Sequence, residues 1–214
     1  ESNVKARKVM VVDKAVADGL GLGIDVKNSQ GVLVVNVGFD TTEISILSLG
    51  GIVLSKLIKV GGRKFDDAIK AAVRREYSLI IGGKTAEVVK ISLLELEESQ
   101  TGAVVYGRDI VTGLPVEREI PTKLVDECLI EHFNTIIDNV KVILERTPPE
   151  LAADIAVRGI VLTGGGCLLH GLDELIEAKT GINTMTAEDP MTAVAIGTGQ
   201  YLEYLDENES EKIK

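Results

Sequence analysis

The stretch from Val157 to Leu172 reads Val-Arg-Gly-Ile-Val-Leu-Thr-Gly-Gly-Gly-Cys-Leu-Leu-His-Gly-Leu, an apolar strand running into three successive glycines and then a helical segment. Having no Cβ, Gly164, Gly165 and Gly166 let the backbone approach a flat or phosphorylated ligand to contact distance, and they tolerate the dihedrals such a turn needs. The chemistry this suits is nucleotide binding. The same residues would also serve as an ordinary tight strand-to-helix turn with no ligand. Other reactive side chains offer less. Cys128 and Cys167 have no close spacing to each other or to His132 and His170, so neither a zinc site nor a disulfide framework is suggested, and a reducing cytoplasm fits. Both histidines fall in predicted helices as surface or core-edge residues.

Composition narrows the class. Of 214 residues 45% are hydrophobic, enough to bury the core of one large domain or two small ones. Aromatic residues are 3% with no Trp, which leaves little to build a stacking surface for single-stranded nucleic acid. The formal net charge of −10 also works against a polyphosphate backbone, so no nucleic-acid partner is expected. No apolar run approaches the roughly 20 residues of a membrane span. Glu1 to Lys8 has no signal-peptide core. The chain opens without Met on a polar segment, as an excised piece of a longer protein would.

The elements that must position the glycines follow from hydrophobic period. Val9 to Val12 is a short β-branched run, and Ala15 to Leu22 reads as a helix weakened by Gly19, Gly21 and Gly23. Gly31 to Val37 is nearly continuous apolar, as in a strand covered on both faces. Glu43 to Leu49 alternates, and Gly50-Gly51 joins it to Ile52 to Val60 as a hairpin turn, giving an antiparallel meander. Helical period returns from Phe65 to Tyr77 and from Thr85 to Lys90. Ile91 to Glu97, Ala103 to Arg108 and Val116 to Ile120 read as strands, the last two joined by Thr112-Gly113-Leu114-Pro115. Apolar positions 125, 129, 133, 136, 140 and 143 form one helical stripe, with Cys128 beside it as a small hydrophobe, ended by Pro148-Pro149. Ile155 to Thr163 reads as a buried strand, Leu168 to Thr180 and Thr192 to Leu205 as helices, and the acidic tail from Asp206 as frayed. The order is α/β and fits a ribonuclease-H-like (actin-like ATPase) domain over 9–63 and 121–205, with a small inserted α/β subdomain at 64–120 and polar ends at 1–8 and 206–214.

Several separated motifs resemble the MreB family of bacterial actins. They are Thr41-Thr42-Glu43 with the glycine hairpin behind it, Gly82 to Lys90, Gly107 to Pro115, Thr147 to Asp154, Arg158 to Leu172, Ala187-Glu188-Asp189-Pro190 and Val194 to Tyr201. The resemblance covers the chain from about Val9 and corresponds to the second half of such a protein. It implies an ATP-binding, filament-forming protein of cell-shape determination. Such a protein self-associates, works with wall-synthesis partners in the cytoplasm at the inner face of the membrane, and touches the membrane only through segments outside this chain. On these residues it implies a phosphate-cradling turn at Gly38-Phe39-Asp40-Thr41-Thr42, a glycine near the ribose at Gly62, an acid and base at Glu87 and Lys90 for the adenosine end, and Gly164, Gly165, Gly166 and Cys167 along the base and α-phosphate.

The departures from the family pattern bear on chemistry. The family implies ATP with Mg²⁺, but Asn36 stands for an Asp that orients the metal's waters, and Phe39 and Asp40 stand for two glycines. A carboxylate a few ångströms from phosphate oxygens opposes them by roughly 4 kcal/mol at an effective dielectric near 20. Lys14 stands where the family has its water-activating glutamate, and a protonated lysine accepts no proton. A weakened phosphate grip and little hydrolysis are therefore expected, with no catalytic or metal-binding residue assigned. The alternatives are an active ATPase or kinase of the same superfamily, in which the insertion binds substrate, and a non-polymerising paralogue that regulates an active filament protein.

Overall fold

The computed structural model of the chain describes residues 9–24, 29–92, 102–169 and 171–211, with 204–211 as backbone. In chain order the elements are α1 (Lys14–Gly21), β1 (Val32–Val37), β2 (Thr42–Ser48), β3 (Gly51–Ile58), α2 (Gly62–Tyr77), β4 (Leu79–Ile80), α3 (Gly83–Ser92), β5 (Gly102–Asp109), β6 (Pro115–Pro121), α4 (Thr122–Arg146), α5 (Pro149–Arg158), β7 (Ile160–Thr163), α6 (Leu172–Thr180), β8 (Thr184–Thr186) and α7 (Ala193–Glu211). A 3₁₀ turn covers Gly165–Leu168. A five-stranded sheet has the order β3-β2-β1-β7-β8, antiparallel through the predicted meander and parallel from β1 to β7 and β8. Strands β4, β5 and β6 form a second sheet within the predicted insertion.

Strand β1 is buried along its whole length, and its two faces serve different layers. Leu33, Val35 and Val37 join the main core with Ile44, Ile46, Ile160 and Leu162. Val32 and Val34 face the other way and pack with Ala15 of α1 and Leu47. Asn36 falls on that second face by the period of two. The core under the first face is closed by α4, whose Val125, Leu129, Phe133, Ile136, Val140 and Ile143 are all buried as their spacing predicts. Each such side chain contributes about 1.5–3 kcal/mol when fully removed from water. Phe65 of α2 meets Phe133 edge to face at 5.8 Å and His132 at 6.0 Å, tying the start of the insertion to α4. His132 is thus a half-buried core-edge residue, while His170 lies outside the described residues.

Several boundaries differ from the sequence reading. Val9 to Val12 forms no strand; Val9 and Val11 are exposed, and no strand among the described residues pairs with them. The hairpin turn is centred on Leu49 and Gly50, both at positive φ, so Gly51 already pairs with Ser48. The predicted strand from Ile91 loses its first two residues to α3, and the rest lies outside the described residues. Ile155 to Arg158 close helix α5, which starts at Pro149; Gly159, at φ 87°, separates this helix from β7. Gly171, at φ 77°, separates the 3₁₀ turn from α6, so helix does not begin at Leu168. Strand β8 was not foreseen. Backbone described as far as Glu211 remains helical, past the tail expected to fray.

Helices α1 and α7 cross at nearly backbone contact. A Cβ on Gly21 would collide with the carbonyl of Ala193, and one on Gly197 with that of Ala17. Gly21, one of the glycines that weaken α1 in isolation, is thus also what lets α7 lie on it. Gly197→Val should therefore separate the pair and lower stability by at least about 1–3 kcal/mol, the usual range for overpacking. Urea denaturation followed by circular dichroism measures this, and an unchanged midpoint would show that the crossing is not tight.

Candidate functional site

Two backbone turns meet where the neighbouring parallel strands β1 and β7 end. The first runs from Gly38 to Thr41, closed by the Gly38 amide donating to the Thr41 carbonyl at 2.9 Å. It rests on the start of α2, where the Gly62 and Arg63 amides donate to the Gly38 and Phe39 carbonyls at 3.0 and 2.7 Å. The second is the glycine triplet. Gly164 sits at φ 80°, and a Cβ there would strike the Val37 carbonyl. A Cβ on Gly166 would strike the Val37 side chain, whereas one on Gly165 would meet nothing closer than Met191 at 3.6 Å. Gly164 and Gly166 are thus required by packing between the turns, and Gly165 is left facing open space.

That space is a cavity of about 680 Å³ lined by Gly38, Phe39, Gly62, Glu87, Lys90, Ile91, Gly165, Gly166, Leu168, Leu169 and Met191. Its size falls within the range of small-molecule sites. Of the residues assigned from sequence, Gly38, Phe39, Gly62, Glu87, Lys90, Gly165 and Gly166 come together here. Gly164 stands behind the wall as a packing residue. Thr42 is fully buried, and its hydroxyl donates to the Val60 carbonyl at 2.8 Å, so it does not point at a phosphate. Thr41 and Asp40 lie outside the lining. Cys167 is buried beneath it, and burial pushes its thiol up to about 12, which keeps it protonated and inert.

Asp40 and Phe39 are not the bare obstacles expected from sequence. Arg63 donates from Nε to Asp40 Oδ1 at 2.5 Å, and its guanidinium lies 4.9 Å over the Phe39 ring. The carboxylate is therefore neutralised beside the turn rather than aimed into the cavity. Glu87 and Lys90 share the rim without pairing as acid and base. Lys90 Nζ instead holds Asp66 Oδ1 at 2.7 Å, both nearly buried. Sequence reasoning missed Arg63 and Asp66, because neither has a spacing that marks it.

A second polar group lies on the far face of β1. Lys14 and Asp18 are one turn apart on α1, and Asn36, Glu43 and Thr163 lie side by side across three strands. Lys14 Nζ donates to Asn36 Oδ1 at 2.6 Å and stands 4.0 Å from Glu43; Asn36 Nδ2 donates to Asp18 Oδ2 at 2.6 Å. Thr163 Oγ1 donates to the Pro190 carbonyl at 3.0 Å. Burial raises the Asp18 carboxyl above its ordinary 3.8, against the lowering by the Asn36 amide and the Lys14 charge. Asp13, by contrast, lines a separate cavity with Val11, Val16, Leu20 and Tyr201, away from this group.

This fold has close counterparts. The family model described as MreB/Mbl protein matches residues 1–210. The chain belongs to the MreB/Mbl family. It is 40% identical over 209 residues to the cell shape-determining protein Mbl of Bacillus subtilis, covering 97% of this chain and 63% of that protein. It is 41% identical over 203 residues to the cell shape-determining protein MreB of Escherichia coli, covering 94% and 58%. Among solved structures, MreB5 of Spiroplasma citri bound to AMPPNP superimposes with a TM-score of 0.92 at 37% identity, over 99% of this chain and 64% of that one. A MamK double helical filament shares the fold, with a TM-score of 0.77 at 22% identity. The chain thus spans about three fifths of the length of these MreB and Mbl relatives.

The Asp18 environment has a consequence for this MreB/Mbl domain in solution. A carboxyl raised in the folded state binds its proton more readily there than in the unfolded chain. The cost of holding it charged is then present above the raised value and is relieved as pH falls toward 3.8. Removing this titration by Asp18→Asn isolates it. The stability of wild type minus that of Asp18→Asn should increase as pH is lowered from neutral toward 4, as read by urea denaturation. A difference that shrinks would mean the folded state depresses the Asp18 carboxyl instead.

Proposed function

We propose that this chain is the nucleotide-binding part of an MreB-type cytoskeletal protein that acts in cell-shape determination by self-association, and that it binds ATP while hydrolysing it little. The observation that carries this is the cavity between the two glycine turns, where Gly38, Gly62, Gly165 and Gly166 bring backbone to the wall and Gly165 faces open space. The apolar wall of Ile91, Leu168, Leu169 and Met191 suits a base, and Glu87 with Lys90 stands at its rim for adenosine. The AMPPNP carried by the Spiroplasma citri relative supports the same ligand here. Filament formation, wall-synthesis partners and a cytoplasmic place at the inner membrane face belong to the same reading. Among the described residues no helix is long and apolar enough to cross a membrane.

Weak hydrolysis rests on Lys14. Its ammonium already donates to Asn36 Oδ1 and stands beside Glu43, and an ammonium has no lone pair with which to take a proton from water. This also supports the second reading, a paralogue that binds nucleotide and regulates an active filament partner.

Two outcomes follow. Gly165→Val introduces a side chain with room to fold, since a Cβ there meets only ordinary contact with Met191, yet it projects into the cavity. It should weaken ATP binding by roughly tenfold or more (1.4 kcal/mol) while leaving the ligand-free melting temperature nearly unchanged. Calorimetric titration checks the first and a thermal scan the second, and full affinity in the variant would place the nucleotide elsewhere. Phosphate release by the longer protein should stay near background and rise in Lys14→Glu. Turnover that is ordinary in the Lys14 protein would contradict the reading.

A further inference from the structure

The corner behind the phosphate turn is built around a charge of the chain's own. Asn36 Oδ1 sits 3.0 Å from where a Cβ of Gly164 would stand and 3.8 Å from that of Gly38, so its amide lies directly beneath both turns. Lys14 Nζ is fixed on that oxygen at 2.6 Å, with Glu43 at 4.0 Å, while the other end of the same amide caps buried Asp18. The acids of this corner, Asp18 and Glu43, are therefore bridged through Lys14 and Asn36. Mg²⁺ demands near-octahedral oxygen ligands and keeps most of its waters. Here the one oxygen directed at the turns already accepts from an ammonium, and a divalent ion would face that like charge. The residues present do not fit Mg²⁺.

We propose that Lys14 is a resident cation that replaces the divalent metal in this corner, so that the cleft is complete, and receives its nucleotide, without Mg²⁺. The nucleotide clause rests on the ATP-binding reading above; the resident-cation clause does not. Asn36 fits this arrangement and an aspartate would not. Its amide gives an acceptor to the ammonium and a donor to Asp18, whereas a second carboxylate at 2.6 Å from Asp18 would oppose it. The two departures from the family pattern, at 14 and 36, are thus one exchange: a metal with its acid for an ammonium with its amide.

The test is thermal melting of the nucleotide-free chain in millimolar Mg²⁺ and in EDTA. Wild type should melt at the same temperature in both. Lys14→Met keeps the aliphatic stem but leaves Asp18 and Glu43 without a cation. It should melt roughly 3–6 °C lower in EDTA and recover part of that loss in Mg²⁺. Lys14→Arg, which restores the charge, should again ignore Mg²⁺. A wild type that gains several degrees from Mg²⁺, or a Lys14→Met protein as stable as wild type in EDTA, would overturn the proposal. Should Lys14→Met fail to fold, the affinity of wild type for AMPPNP decides. Values within about threefold with and without Mg²⁺ support the resident cation, and a loss beyond about tenfold on chelation refutes it. No binding of AMPPNP under either condition, with the melting pattern intact, removes the ATP-binding reading alone and leaves the resident cation supported.

Discussion

Val37 is the point on which this structure turns. Its carbonyl is pressed against Gly164 and its side chain against Gly166, so that the ends of two adjacent parallel strands pack with no side chain on the glycine turn. Such an approach is open only to glycine at the opposing positions. Because the turns touch, the cavity in front of them has backbone on that side, with Phe39, Leu168, Leu169 and Met191 among the side chains around it. Because β1 is buried on both faces, its end cannot shift without disturbing the core on one side and α1 on the other. The cavity at this place is thus a by-product of packing, and a rigid one.

The residues that make the cleft unusual work in pairs. Phe39 and Asp40 would be bulk and repulsion alone, but Arg63 lies over the ring and grips the carboxylate, which leaves Phe39 on the cavity wall and Asp40 outside it. Exposed as it is, that ion pair adds little to stability; its effect is on the charge seen by a ligand. Lys90 and Asp66 form a similar but nearly buried pair at the opposite rim. Removing one partner of such a pair leaves an uncompensated charge. Lys14, Asn36 and Asp18 complete the pattern on the hidden face of β1.

Much of this was legible in the sequence, for stated reasons. The meander strands and the α4 stripe were read in the right places, β1 as covered on both faces and α4 by its period of 3.6, whereas β2, read as alternating, is buried at every position but Glu43. The glycine triplet drew attention to this end of the sheet, although two of its members, Gly164 and Gly166, are needed for packing against Val37 whether or not a ligand binds. What was misread involves single residues at element boundaries. Ile155 to Arg158 looked like the start of β7, although Pro149 and Gly159 bracket a short helix. The hairpin was displaced by one residue because Leu49 takes a positive φ that its side chain disfavours. Thr42 was assigned to phosphate, but its position in β2 turns the hydroxyl inward to Val60. Arg63, Asp66 and Asp18 could not be found at all from spacing, because their partners lie some 18 to 24 positions away in the chain.

The claim that a nucleotide occupies the space between the two turns is tested most directly by mapping backbone amide shifts while AMPPNP is added to the labelled chain. The largest changes are expected at Gly38, Gly62, Gly165 and Gly166, with smaller ones at Glu87 and Lys90. Changes confined to other surfaces, such as the cavity beside Val11 and Tyr201, or no change at saturating nucleotide, would contradict it.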